Sequence, residues 1–171
     1  MSSNDARFEA LVDAYSGDLY RYAFWLCHNR HMAEDLVQET FMRAWRFLDS
    51  LKDESKAKSW LITTLRREHA RQYERARPNI DDGAELEAVA SEERDRADNA
   101  DVTSVREAMA QLPDSYREPL ILQVLWGYSG DEIAELMDMP RASVNTRLFR
   151  ARQQLRKLLA DADDGYSVGA Q

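Results

Sequence analysis

Apolar residues in this chain recur at three- and four-residue steps along most of its length and nowhere alternate with period two. That pattern constrains the fold more than any other feature. A stripe at helical spacing buries one face of a helix, whereas a half-buried strand needs strict alternation. Phe8, Leu11, Val12, Tyr15, Leu19, Tyr22, Ala23 and Leu26 predict a helix from about Arg7 to Cys27, with Gly17 as a break or bend. Ala33, Leu36, Val37, Thr40, Ala44, Trp45 and Leu48 form a second stripe, and Trp60, Leu61, Thr64, Leu65 and Tyr73 a third that ends before Pro78. The pattern resumes with Val102, Val105, Met109 and Leu112, then Tyr116, Leu120, Ile121 and Val124, before Gly127 closes a helix; Pro119 is expected early in it. The expected fold class is all-α.

Between the two sets of stripes, Asp81 to Asp101 holds nine acids against two bases, Arg94 and Arg96, and so carries −7 of the net charge of −8. With few large apolar side chains, this stretch buries too little surface to offset its ordering entropy. It reads as a flexible acidic linker over 79–101, separating two small helical domains at 1–78 and 102–160, with a loose tail at 161–171. Such a linker could tether the domains or compete with phosphates for a basic surface. The rest of the charge is as uneven: from Arg141 to Lys157 there are six bases and no acid. A solvated helix face normally mixes signs, so a one-sided basic stripe points to an anionic partner despite the acidic total.

Several function classes fall away. No window approaches the ~18 unbroken apolar residues of a membrane span, so no membrane insertion is expected. Met1 to Arg7 is polar and contains Asp5, unlike a secretory leader, which predicts a cytoplasmic protein. The lone Cys27 cannot form an internal disulfide and reads as a core thiol. Cys27, His28 and His31 lack a carboxylate partner at metal-ligand spacing, so no metal site and no cofactor is expected. Neither a glycine-rich phosphate loop nor a nucleophile–base signature is present, and no catalytic residue is assigned.

The most informative local motif is Ser129-Gly130-Asp131-Glu132, an S-x-x-E capping box that starts a helix. Ile133, Ala134, Leu136 and Met137 give that helix an apolar face, Asp138-Met139-Pro140 turns the chain, and Pro140 suits the opening of a second helix. In that second helix Val144, Leu148, Ala151 and Leu155 share one side, leaving Arg141, Asn145, Thr146, Phe149, Arg150 and Arg152 largely free. This is a helix-turn-helix in outline, with Asn and Arg side chains suited to base edges in a major groove.

Two stretches together resemble the extracytoplasmic-function group of the sigma-70 family. The run from Ala110-Gln-Leu-Pro-Asp-Ser-Tyr through Gly127-Tyr-Ser-Gly-Asp-Glu-Ile-Ala to Val144-Asn-Thr-Arg-Leu-Phe-Arg-Ala is similar to that group's region 4. Ala33-Glu-Asp-Leu-Val-Gln-Glu-Thr-Phe-Met-Arg-Ala-Trp45 is similar to region 2.2, and Lys58-Ser-Trp-Leu61 with the following basic helix to regions 2.3 and 2.4. The resemblance implies a transcription initiation factor and not an enzyme. Its partners would be core RNA polymerase, through the β′ clamp helices and the β flap, and promoter DNA, with an anti-sigma factor as a further class of partner.

By that resemblance Asp35, Gln38 and Glu39, three and four residues apart, would dock polymerase. Lys52, Lys56, Lys58, Arg66, Arg67 and Arg71 would handle the −10 element, where cations beside an aromatic suit single-strand capture; Trp60, in phase with Leu61 and Leu65, reads as core. Asn145, Thr146, Phe149 and Arg150 would face −35 base edges, and Arg141, Ser143, Arg147 and Arg152 would anchor phosphates. The sequence departs from the family pattern at Arg67, where many relatives carry Asn, and at Arg141 and Ala142, which replace a small or apolar residue and Gly. The competing reading, a stand-alone helix-turn-helix regulator, leaves Asp35 to Glu39 without a task.

Overall fold

The structure, a computed structural model, describes residues 2–76 and 100–167, and among these it is helical with no strand. The chain divides into two compact units, Met1–Val89 and Ala90–Gln171. The acidic segment lies outside the described residues up to Asn99, and its last two residues already belong to a helix.

The first unit is built from α1 (Ser3–Cys27), α2 (Arg30–Arg46) and α3 (Ala57–Ala76), with two 3-10 turns, Leu48–Ser50 and Glu54–Lys56, between α2 and α3. Helix α1 starts four residues earlier than the apolar stripe predicts, because Ser2 and Asp5 form a reciprocal capping box. Gly17 does not break it: the helix runs straight through, and packing of α1 on α2 and α3 outweighs the ~1 kcal/mol that glycine costs in a helix interior. His28 ends α1 in the left-handed region at φ 52°, and Asn29 caps α2 by accepting from the Met32 N–H. Burial pushes the Cys27 thiol up to about 11.

The core of this unit holds Leu19, Tyr22, Leu36, Ala44, Leu61, Ile62 and Leu65, while Leu11, Leu48, Leu51 and Ala57 form a second cluster under Phe8, Tyr15 and Trp60. Trp60 is half-buried and packs against this cluster. Two members of the apolar stripes face solvent: Trp45 is 47% exposed and Tyr73 57%. Phe41 takes the buried side of α2 that Trp45 leaves, and Trp45 instead stacks edge-on against Phe8, ring centroids 5.1 Å apart.

The second unit comprises α4 (Ala100–Gln111), α5 (Asp114–Val124), α6 (Gly130–Leu136) and α7 (Arg141–Ser167), with α4, α5 and α6 all packing on α7. Pro119 lies at the sixth residue of α5 rather than in its opening turn, and the donor it lacks would have served the carbonyl of exposed Ser115. Gly127, at φ 68°, turns the chain out of α5, and Val124 faces solvent at 73% exposure. The expected tail from Asp161 is helical as far as Ser167, because Ala160 and Ala162 extend α7 and each added residue gains a backbone bond once a helix exists.

One buried charge organises this unit. Arg117, 4% exposed, donates from Nε to the Met109 carbonyl (2.9 Å) and from Nη2 to the carbonyls of Ala110 (3.0 Å) and Leu112, while Nη1 reaches Asp114 (3.0 Å). Helix ends leave carbonyls without intrahelical donors, and this guanidinium supplies them at the end of α4. Burial lowers its affinity for the proton and Asp114 restores part of it; an arginine still stays charged.

Candidate nucleic-acid and partner interfaces

In the first unit, one face of α2 and α3 brings together all three residues expected to meet polymerase. Asp35, Gln38 and Glu39 line a groove of about 380 Å³ with Met42, Arg43, Glu68, Arg71, Gln72 and Arg75. Asp35 and Gln38 are exposed and Glu39 is half-buried. The floor of the groove is an ion-paired lattice: the Glu68 carboxylate, only 5% exposed, pairs with Arg43 and, at 3.0 Å, with Arg71, and Arg43 also lies 3.5 Å from Glu39. Sequence reasoning missed Glu68, since an acid in a predominantly basic helix reads as surface charge until α2 brings Arg43 over it.

The residues expected at the −10 element differ in exposure and in what they bond. Arg71 lines the same groove as Asp35 and bonds Glu68, so its guanidinium is engaged on the Asp35 face. Arg67 is exposed on α3, whereas Arg66 and Lys58 are half-buried. Lys52 and Lys56 are exposed on the loop between α2 and α3. That loop is tied down by α1: Asn4 Nδ2 donates to Asp49 (3.0 Å), and Arg7 donates to the Leu51 carbonyl (2.9 Å) and to Glu54 (2.8 Å). Within it the Asp53 carboxylate accepts from the Ser55 hydroxyl (2.6 Å) and N–H (3.0 Å), which hold its pKa below the usual value, with Lys56 adding to the effect.

In the second unit the helix-turn-helix forms through local chemistry. The Ser129 hydroxyl accepts from the Glu132 N–H (3.2 Å) and Glu132 accepts from the Ser129 N–H (2.8 Å), which starts α6. Asp138 ends it at φ 50°, its N–H turning back to Glu135 and that of Met139 to Ala134, a Schellman closure with aspartate where glycine is usual. Val144, Leu148 and Ala151 are buried, which fixes the rotation of α7.

That rotation exposes Arg141, Asn145, Thr146, Phe149, Arg150 and Arg152, and leaves Ser143 and Arg147 half-buried. Phe149, 66% exposed, is no core residue. Arg141, Asn145, Phe149 and Arg152 line a groove of about 550 Å³ together with Gln123, Gly130, Leu148, Gln153 and Arg156; Ser143, Thr146, Arg147 and Arg150 lie outside it. Continuing the helical phase would have found Gln153 and Arg156, but Gln123 comes from α5 and had no local signal. Several expected contact groups are engaged within the unit: Arg150 with the Tyr116 hydroxyl (3.4 Å), Arg152 with Gln123, and the Thr146 hydroxyl with the Ala142 carbonyl (3.0 Å). Arg141 is paired with Asp131 at 2.6 Å.

Comparison with known proteins agrees with this layout. Residues 11–78 match the family model of sigma-70 region 2, and residues 103–155 that of sigma-70 region 4. The chain is 32% identical to the ECF RNA polymerase sigma factor SigM of Bacillus subtilis, over 88% of this chain and 93% of that one. It is also 32% identical to the ECF sigma factor SigC of Mycobacterium tuberculosis, over 94% and 85%. Among solved structures it resembles the sigma factor RpoE of Bartonella quintana, co-crystallised with the anti-sigma factor NepR, with a TM-score of 0.72 and 28% identity over 90% of this chain and 97% of that one. It also resembles CnrH in complex with the cytosolic domain of CnrY, with a TM-score of 0.66 and 26% identity over 94% and 92%. With both regions in order and full-length relatives at this identity, the chain belongs to the extracytoplasmic-function group of the sigma-70 family.

Proposed function

We propose that this sigma factor binds core RNA polymerase through its first unit and directs initiation at promoters whose −35 element its second unit reads. Family membership makes it a transcription factor and not an enzyme. The observation that carries the docking role is the convergence of Asp35, Gln38 and Glu39 on one groove, a set of acceptors suited to a basic surface such as the β′ clamp helices. The division of labour follows the chain: 1–78 for polymerase and the −10 element, 79–101 as an acidic connector, 102–160 for the −35 element and the β flap. Lys52 and Lys56 on the anchored loop, with Lys58, Arg66 and Arg67, suit strand capture; Arg71 fits the docking groove better. In the second unit Asn145, Thr146, Phe149 and Arg150 suit base edges, and Ser143, Arg147 and Arg152 phosphates. The solved relative in complex with the anti-sigma factor NepR supports a regulator of that class here, and no described helix is long and apolar enough to cross a membrane, which fits action in the cytoplasm.

The stand-alone regulator is not favoured, because residues 11–78 match sigma-70 region 2. Run-off transcription from genomic fragments with core enzyme tests the reading. Promoter-specific transcripts are expected, with core affinity reduced at least tenfold in the Asp35→Ala, Glu39→Ala double variant at unchanged helix content; undiminished core affinity refutes the docking assignment.

A further inference from the structure

Arg141 stands at the first residue of α7, and its guanidinium is held from three sides. Nη1 pairs with Asp131 at 2.6 Å, Nε donates to the Asn145 Oδ1 at 3.0 Å, and the group lies flat against Gly130. That close approach needs glycine: a Cβ at position 130 would meet the Arg141 Cζ at 2.5 Å and Nε at 2.6 Å.

We propose that Arg141 is a specificity-positioning residue, which fixes the Asn145 amide so that it reads bases presenting acceptors. An arginine has donors only, so the amide atom facing it must be the carbonyl oxygen. With one of its two Oδ1 lone pairs taken by a cation, Asn145 offers the Nδ2 amino group to the groove more readily than that oxygen. Recognition of adenine by asparagine needs both amide atoms, Oδ1 to accept from N6 and Nδ2 to donate to N7. An adenine N6 amino group would have to share Oδ1 with the guanidinium and stand beside its positive charge, whereas Nδ2 and the guanidinium together match guanine O6 and N7 or thymine O4. Asp131 and Gly130, both on α6, hold the guanidinium over Asn145, so the turn between the two helices sets the reading.

This inference rests on the promoter reading above, and the test separates the two. Holoenzyme assembled from core and full-length chain selects from a library randomised in the −35 element, for wild type and for Asn145→Ala, Arg141→Ala and Gly130→Ala. The position whose preference disappears in Asn145→Ala is the one Asn145 reads. There, wild type is expected to disfavour adenine about tenfold against guanine or thymine, and both Arg141→Ala and Gly130→Ala to remove most of that penalty. Gly130→Ala is the decisive variant: it keeps every charge, suits a helical position better than glycine, and sets its Cβ first against the flexible end of Arg141. If Arg141→Ala weakens all sequences alike, lowering the salt slope by about one, and Gly130→Ala changes nothing, Arg141 is a phosphate anchor and the proposal fails. Adenine preferred by wild type at that position overturns it equally. A library from which wild-type holoenzyme selects no −35 sequence overturns the promoter reading itself, and the proposal with it.

Discussion

Replacing Arg117 by Met removes the guanidinium at the end of α4 while keeping most of the buried stem. Three backbone carbonyls, those of Met109, Ala110 and Leu112, then lose their side-chain donors. A net hydrogen bond contributes about 1 kcal/mol, and more when the donor is charged. Three such bonds put the loss at about 3 kcal/mol. The ion pair with Asp114 adds little, because that carboxylate is 80% exposed. Removing the guanidinium's own desolvation cost works the other way, so the loss stays well short of the sum for three charged bonds. Arg117→Lys keeps the charge but cannot reach three carbonyls at once, and should lose about 2 kcal/mol. The assay is urea unfolding of the full chain followed by hydrogen exchange, which reads each unit separately. The expected result is a lower midpoint for the second unit, an unchanged first unit, and early loss of protection at Ala108 to Gln111. A shift in the second unit worth less than about 0.5 kcal/mol, with α4 protection intact, would show that water serves those carbonyls as well as Arg117 does.

Two further outcomes follow from single residues. Asp138 sits in the left-handed region at φ 50°, which costs a non-glycine residue roughly 1–2 kcal/mol; Asp138→Gly should therefore stabilise the second unit by about 1 kcal/mol in urea unfolding, and a loss of stability would show that the aspartate side chain contributes more than its backbone costs. Cys27, pushed up to about 11, binds its proton more tightly folded than unfolded. Its contribution is complete below pH 9 and is lost as the pH rises toward 11. Alkylation by iodoacetamide should be slow at pH 8 and faster with each step above it, and wild type should lose stability between pH 9 and 10 more steeply than Cys27→Ala; parallel curves for the two proteins would refute the shift.

The sequence by itself determined what local chemistry controls. Apolar stripes at 3.6-residue spacing specified helices, the Ser129–Glu132 box placed the start of α6, and Val144, Leu148 and Ala151 set which side of α7 is buried. Those signals act within one or two turns, so no knowledge of neighbouring elements is needed to read them. Tertiary structure decided the rest. Trp45, Tyr73 and Val124 lie in phase with buried neighbours yet face solvent, because a stripe shows which face is apolar but not how wide a face the partner helix covers. Arg117 and Glu68 are buried against the rule for charged side chains, since each meets groups that the chain supplies from another element. The Arg141–Asn145 pair, four residues apart, was within reach of helical phase alone. Its orientation was not, because Gly130 and Asp131 come from the preceding helix, and only the angle of the turn at Asp138 brings them against the guanidinium.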